Sequence, residues 1–124
     1  MIPVRANPDT WAKELYIAKK IGVAEDGDLN EVPIYGTPEK YMFNYRGVKS
    51  DAEIAEFGEK AKITQRMVIP REYENDFHEF DVAYMYGASP ENELKNGDNA
   101  NYVMLPPRVG NSVNIIYLQK IIGK

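Results

Sequence analysis

The chain contains no cysteine. That removes disulfides and thiol-bound metals from consideration and leaves a reducing compartment open. Histidine is almost as scarce: His78, in Phe77-His78-Glu79-Phe80, stands alone. One histidine without cysteine supplies no ordinary zinc set. No nucleophile or carboxylate stands at a spacing that would make it a general base, so it reads as an exposed loop histidine. No Gly-x-Gly-x-x-Gly pattern or phosphate loop occurs. Asp26, Asp28 and Glu31 look like part of a calcium loop, but the other ligands, including the closing glutamate, are missing. No enzyme activity, cofactor or metal is therefore expected.

Long apolar runs are missing too. Nowhere do eighteen apolar residues follow one another, so no membrane helix is expected. The start, Met1-Ile2-Pro3-Val4-Arg5-Ala6-Asn7-Pro8, has no apolar run of signal-peptide length, and the product is expected to stay in the cytosol of the cell that makes it. A basic surplus is also absent. Lys and Arg number 15 against 19 Asp and Glu, for a net charge of −4 and a pI near 5.0. General binders of nucleic acid or anionic membranes show the opposite balance, although a local patch could still touch DNA.

What remains is a globular composition. The 124 residues, 44% hydrophobic and 27% charged, fit a single domain over 1–124. Pro3, Pro8 and the Asn7-Pro8-Asp9 turn signal make 1–10 an extended arm. Residues 11–22 admit two readings. Trp11, Leu15 and Ala18 sit at helical spacing, whereas Leu15, Ile17 and Ile21 fit one face of a strand with Lys19 as the exception; the strand is preferred. Residues 23–39, with Asp26-Gly27, Pro33, Gly36 and Pro38, read as a connection. Lys40 to Tyr45 alternates, putting Tyr41, Phe43 and Tyr45 on one face of a strand.

Ser50-Asp51-Ala52-Glu53 is a capping box, in which Ser50 and Glu53 satisfy each other's backbone amides. Gly58 then stops the helix, giving a short helix over 51–57. Two turns are marginal alone, so packing or a partner must hold them. A strand follows over 61–69, with Ile63, Met67 and Ile69 facing one way and Thr64 and Arg66 the other, ended by Pro70. Residues 71–79 read as a loop, Val82 to Tyr86 as a short strand, and 87–100, with Asn96-Gly97, as a long polar loop. Tyr102–Leu105 and Val113–Ile122 are the closing strands, joined near Gly110-Asn111. Five or six short strands, one short helix and long loops indicate a mainly β protein: a small barrel or sandwich.

Two features carry functional weight. The first is the aromatic content, with nine tyrosines. Tyrosine suits strands, protein interfaces and, given basic neighbours, stacked bases. Only Lys40, Arg46 and Lys49 flank Tyr41, Phe43 and Tyr45, so core packing ranks first, an interface second and nucleic acid last. The second is the excursion from Arg46 to Lys60. Residues 51–59 carry Asp51, Glu53, Glu56 and Glu59 with no basic residue, yet apolar Ile54 and Phe57 lie among them. An ordinary surface loop and a loop that orders against identical neighbours explain this equally well.

Three stretches resemble the head-closure, or stopper, proteins of long-tailed siphophages, a family of minor capsid and head–tail connector proteins. They are Tyr41-Met42-Phe43-Asn44-Tyr45 leading through Ser50-Asp51-Ala52-Glu53-Ile54-Ala55-Glu56-Phe57-Gly58; Asp81-Val82-Ala83-Tyr84-Met85-Tyr86-Gly87-Ala88-Ser89-Pro90-Glu91; and Asn96-Gly97-Asp98-Asn99-Ala100-Asn101-Tyr102-Val103 with Ile115-Ile116-Tyr117-Leu118-Gln119-Lys120. The resemblance implies a small SH3-like β-barrel whose copies form a ring, sixfold or twelvefold, at the virion's head–tail junction. Its partners would be further copies of itself, portal and adaptor ring proteins, tail terminator or tail tube proteins, and the packaged double-stranded DNA, with no membrane. It further implies that a loop here, residues 46–60, closes the channel. Arg46, Ser50, Asp51, Glu53, Ile54, Glu56, Phe57, Gly58 and Glu59 would make that gate and the subunit interface, Ile54 and Phe57 packing between subunits and the acids repelling phosphate in the lumen. Pro106-Pro107 departs from the pattern, since neither residue can donate to a strand ladder; the strand after Tyr102 is expected to end there. Another neck or tail-completion protein, or a small barrel for single-stranded nucleic acid, are the competing readings.

Overall fold

A computed structural model describes residues 12–25, 27–88, 100–109 and 113–121. The expected arm over 1–10, most of the polar loop over 87–100 and the turn at Gly110-Asn111 fall outside the described residues. Six strands close into an antiparallel barrel in the order β5 (Thr64–Pro70), β4 (Glu39–Gly47), β1 (Ala12–Ala18), β6 (Val82–Tyr84), β7 (Tyr102–Met104) and β9 (Val113–Lys120). The β5–β9 pairing, from Thr64↔Gln119 to Pro70↔Val113, completes the ring of strands. The two-residue β8 (Arg108–Val109) adds to β9, and the helix α1 (Asp51–Phe57) joins β4 to β5. The expected mainly β fold, a small barrel with long loops and one short helix, is the fold observed.

Period-two alternation fills the interior. Leu15 and Ile17, Phe43 and Tyr45, Met67 and Ile69, Tyr102 and Met104, and Ile116 and Leu118 all point into one core. Strand β6 is buried on both faces. Its outward Val82 and Tyr84 pack with Ala18 and Ala100 in a second cluster, which is why this strand reads as a continuous apolar run. Aromatic rings close both ends of the barrel. At one end Tyr41 stacks on Phe43 at 5.3 Å, with Tyr73 and Phe77 edge-on to both. At the other, Tyr86 meets Tyr45 at 5.2 Å and Tyr102 at 6.2 Å, and its hydroxyl donates to Gln65. Burial pushes both Tyr41 and Tyr86 up to about 12, helped at Tyr41 by its bond to Glu39 and at Tyr86 by the neighbouring phenols of Tyr102 and Tyr45.

Three expectations need correction. Residues 11–22 are not one strand: β1 stops at Ala18, and a new strand, β2 (Lys20–Glu25), starts past Lys19. Ile21 is thereby 69% exposed rather than in line with Leu15 and Ile17. Residues 23–39 are not a plain connection. With β3 (Glu31–Tyr35), β2 forms a separate two-stranded hairpin, bulged between Lys20 and Gly22. Pro33 is accommodated because a two-stranded ribbon has only edge strands, on which a missing donor is tolerated. Finally, residues 61–63 belong to a 3-10 turn over 58–63, not to the strand. That turn covers Thr64, which is fully buried and whose hydroxyl donates to Lys60 O at 2.6 Å.

The hairpin's base is anchored by Asp81. This buried carboxylate accepts from the Lys20 amide at 2.8 Å and the His78 amide at 2.9 Å. The Gly36 amide donates to Lys19 O at 2.7 Å across the hairpin's neck. His78 itself is exposed. After Met104 the chain leaves β7 and Pro106-Pro107 lie between strands, so that ladder ends where the prolines require.

Candidate functional site

The strand register builds an outward row across three neighbouring strands. Arg46 of β4 stands opposite Arg66 of β5, and Arg66 opposite Tyr117 of β9. Two arginines directly across from each other repel. Helix α1 lays a carboxylate over that pair: Glu53 lies 3.6 Å from Arg66 Nε and accepts from the Tyr117 hydroxyl at 2.5 Å. One turn on, Glu56 pairs with Arg108 of β8. The Tyr117 ring sits under the helix, with Phe57 at 4.9 Å and the Arg108 guanidinium at 4.7 Å from its centre. The helix is therefore held to the barrel wall by charge-assisted hydrogen bonds, a cation–π contact and one aromatic pair.

Local sequence sets the helix's ends. The Glu53 amide donates to Ser50 Oγ at 3.1 Å, and the Ser50 amide donates back to Glu53 Oε1 at 3.4 Å, so the capping box forms as read. Gly58 ends the helix with φ 56, a backbone conformation that favours glycine. Glu53 thus serves two structures at once, its own helix cap and the contact to β5 and β9.

The titration of these groups follows from their contacts. Burial alone would raise the Glu53 carboxyl. The hydrogen bonds from Tyr117 and Ser50, with the charge of Arg46, outweigh it and hold the group below the ordinary glutamate value. Burial and the bond to Glu53 push the Tyr117 phenol up. Glu56 is held low chiefly by its hydrogen bond from Arg108, which is raised in turn.

Of the residues singled out from sequence, the structure gathers Arg46, Ser50, Glu53 and Phe57 around Tyr117, with Glu56 beside them on Arg108. Asp51 and Glu59 stay exposed, and Ile54 is 45% exposed. Cations and a phenol of the same chain engage Glu53 and Glu56. Phe57 packs on its own chain's Tyr117. Sequence reading missed Tyr117 and Arg108 as the helix's partners. The alternation of β5 did turn Arg66 outward, which was the available signal. The aromatic stripe Tyr41, Phe43 and Tyr45 lies in the core or against it, the role ranked first.

Elsewhere an open cleft of about 670 Å³ lies beside Lys13, Tyr16, Tyr45 and Tyr86. The Lys13 ammonium is already engaged there, donating to Tyr45 O at 2.8 Å and lying 5.0 Å from the Tyr45 ring centre. Among the described residues no three His, Asp or Glu side chains gather as a metal site. Asp28 and Glu31 of the partial calcium pattern are exposed, and Asp26 lies outside the described residues. No helix among the described residues is long and apolar enough to cross a membrane, which says nothing of β-barrel membrane proteins.

No family model and no curated protein matches the chain. Among solved structures it is similar to the solution structure of protein SF1141 from Shigella flexneri 2a, a structural genomics target. The TM-score is 0.57 at 15% identity, covering 96% of this chain and 100% of that one. At that identity the likeness establishes a shared fold and nothing further.

Proposed function

We propose that this chain is a structural protein of a tailed bacteriophage neck, whose copies form a ring that closes the DNA channel below the portal and adaptor and docks the tail. The observation that carries the reading is the β2–β3 hairpin. It stands outside the barrel core with Ile21, Val23 and Leu29 at least half exposed, a surface suited to neighbouring protein. The aromatic rings at both ends of the barrel support it as well. A copy filled in this way offers no route for DNA, so a channel would be lined by outer faces of several copies. In this reading the 46–60 excursion lies at that channel and switches between ordered and released states, with Asp51 and Glu59 as the acids left to face phosphate. Portal or adaptor rings would meet one side of the assembly, tail terminator or tail tube proteins the other, within the virion.

The competing readings draw less support. Adaptor-type neck proteins tend to be helical, and this chain is mainly β. A single-stranded nucleic-acid platform needs exposed rings side by side, whereas Tyr41, Phe43 and Tyr45 are taken up by the core and its edge. Cryo-electron microscopy of particles from the source phage tests the proposal. A ring of this barrel between adaptor and tail, with 46–60 at the channel, is the expected result; neck density with no such barrel would overturn it. Deleting 51–58 should leave a folded barrel and virions that lose their genomes. Full retention of DNA by that variant would refute the gate while leaving the ring intact.

A further inference from the structure

The β2–β3 hairpin carries three features that disfavour it in an isolated chain. It is a two-stranded sheet, with no third strand on either edge among the described residues, and such a ribbon is marginal in water. Its register sets Glu25 directly opposite Glu31, a like-charge pair that weakens it further. Among the described residues neither carboxylate has an ion pair. At its tip Leu29 is 78% exposed with φ 67, a conformation uncommon for a leucine. An element with uncovered apolar side chains and unneutralised like charges is completed by something outside its own fold.

The complement lies at the far end of the same molecule. Strands β1 and β5 both run antiparallel to β4. The end of β1, from which the hairpin leaves, and the start of β5, to which residues 58–63 lead, are thus at opposite ends of the barrel. The turn over 58–63 exposes Glu59, Lys60 and Lys62 around an open, mainly apolar cavity of about 660 Å³ that all three line with Ala61 and Ile63. Among the described residues neither ammonium has an ion pair. One element therefore presents a projecting leucine between two carboxylates, and the other a shallow apolar seat with two ammonium groups against one carboxylate, a net positive charge.

We infer that copies of this chain join head to tail, the hairpin tip of one seated on residues 58–63 of the next, with Leu29 in the cavity and Glu25 and Glu31 facing Lys60 and Lys62. The two surfaces differ, so the contact is heterologous. It repeats from copy to copy and closes only if the rotation per step divides the circle. The inference rests on the ring proposed above for its biological setting, but the contact can be tested separately. It also explains why the lysines sit beside the helix stop: seating a neighbour there would couple subunit contact to the position of α1.

The chain's lack of cysteine makes the test clean. Full-length Leu29→Cys and Glu59→Cys proteins, each checked for the native circular dichroism spectrum, are mixed and treated with a short bis-maleimide. Head-to-tail seating predicts mixed 29–59 dimers well above the half that random coupling gives. Adding Lys60→Glu and Lys62→Glu to the Glu59→Cys chain should cut the mixed product severalfold, and Glu25→Lys with Glu31→Lys on the other chain should restore it. Random or self-paired products, or indifference to charge reversal, overturn the inference. Native mass spectrometry of the chain carrying both cysteines separates the two claims. Linked open chains that never close sink the ring and leave the contact, whereas a closed ring that forms without 29–59 cross-links keeps the ring and sinks the contact.

Discussion

Replacing Tyr117 with phenylalanine removes one oxygen atom and leaves the ring between Phe57 and Arg108. The lost hydroxyl is a donor to an ionised, largely buried carboxylate, and such bonds contribute about 1.5–3 kcal/mol. Glu53 keeps Arg66 at 3.6 Å and the Ser50 cap, so the lower end applies. Stability should fall by about 1.5 kcal/mol, or roughly 5 °C in Tm for a domain of this size. Glu53→Gln removes the charge and leaves Arg46 opposite Arg66 without its counter-ion, at a cost of about 2 kcal/mol. The double variant should cost less than the sum, with a coupling of about 1 kcal/mol. Urea denaturation of the four proteins at neutral pH measures this, and amide exchange over 51–57 locates it. The folded state holds Glu53 below the ordinary glutamate value, so its contribution is complete above that value and disappears as pH falls through the lower, folded one. The coupling should vanish in strong acid. A coupling under about 0.3 kcal/mol at neutral pH, the usual scatter of such cycles, would mean that these contacts do not hold the helix.

Three further substitutions probe other parts of the fold. Asp81→Ala strips a charged acceptor from the Lys20 and His78 amides and should cost about 3 kcal/mol by urea midpoint, with faster amide exchange in the hairpin; an unchanged midpoint would show that the hairpin is anchored otherwise. Gly58→Ala meets no atom of the described residues within 4 Å but must adopt φ 56, so the loss should be purely conformational, about 1–2 kcal/mol, without disturbance of the barrel's near-ultraviolet spectrum. Asn114 is 1% exposed, and among the described residues neither its amide nitrogen nor its amide oxygen has a hydrogen-bond partner. Asn114→Val should accordingly be neutral or raise stability by about 1 kcal/mol, and a clear loss in thermal unfolding would contradict that.

What could be read from sequence follows from the range of the physics. The helix over 51–57 was legible to its ends because a capping box and a stop glycine are local, acting within four residues. The core face of β4 was legible because alternation is local as well. The partners of that helix were not, because Tyr117 and Arg108 lie 64 and 52 residues from Glu53 and Glu56 and meet them only through the β5–β9 register. The β2–β3 hairpin was hidden by Pro33 and Gly36, which signal a break in an interior strand but fit a ribbon with two edges. The burial of Thr64 was not legible, because nothing in its own strand announces the turn that folds back over it.

The barrel's closure has a consequence for how the chain is made. Strand β9 is the last of the described strands, and it bonds to both β5 and β7. Until it leaves the ribosome, the nascent chain can assemble only an open sheet, β5-β4-β1-β6-β7, with a bare edge at each side. Such edges recruit strands from other chains, so premature termination before residue 113 should give an aggregating product, not a smaller folded one. The same strand supplies Tyr117 beneath α1, so the helix too docks only once synthesis has passed it, and the wall and the latch on it form together.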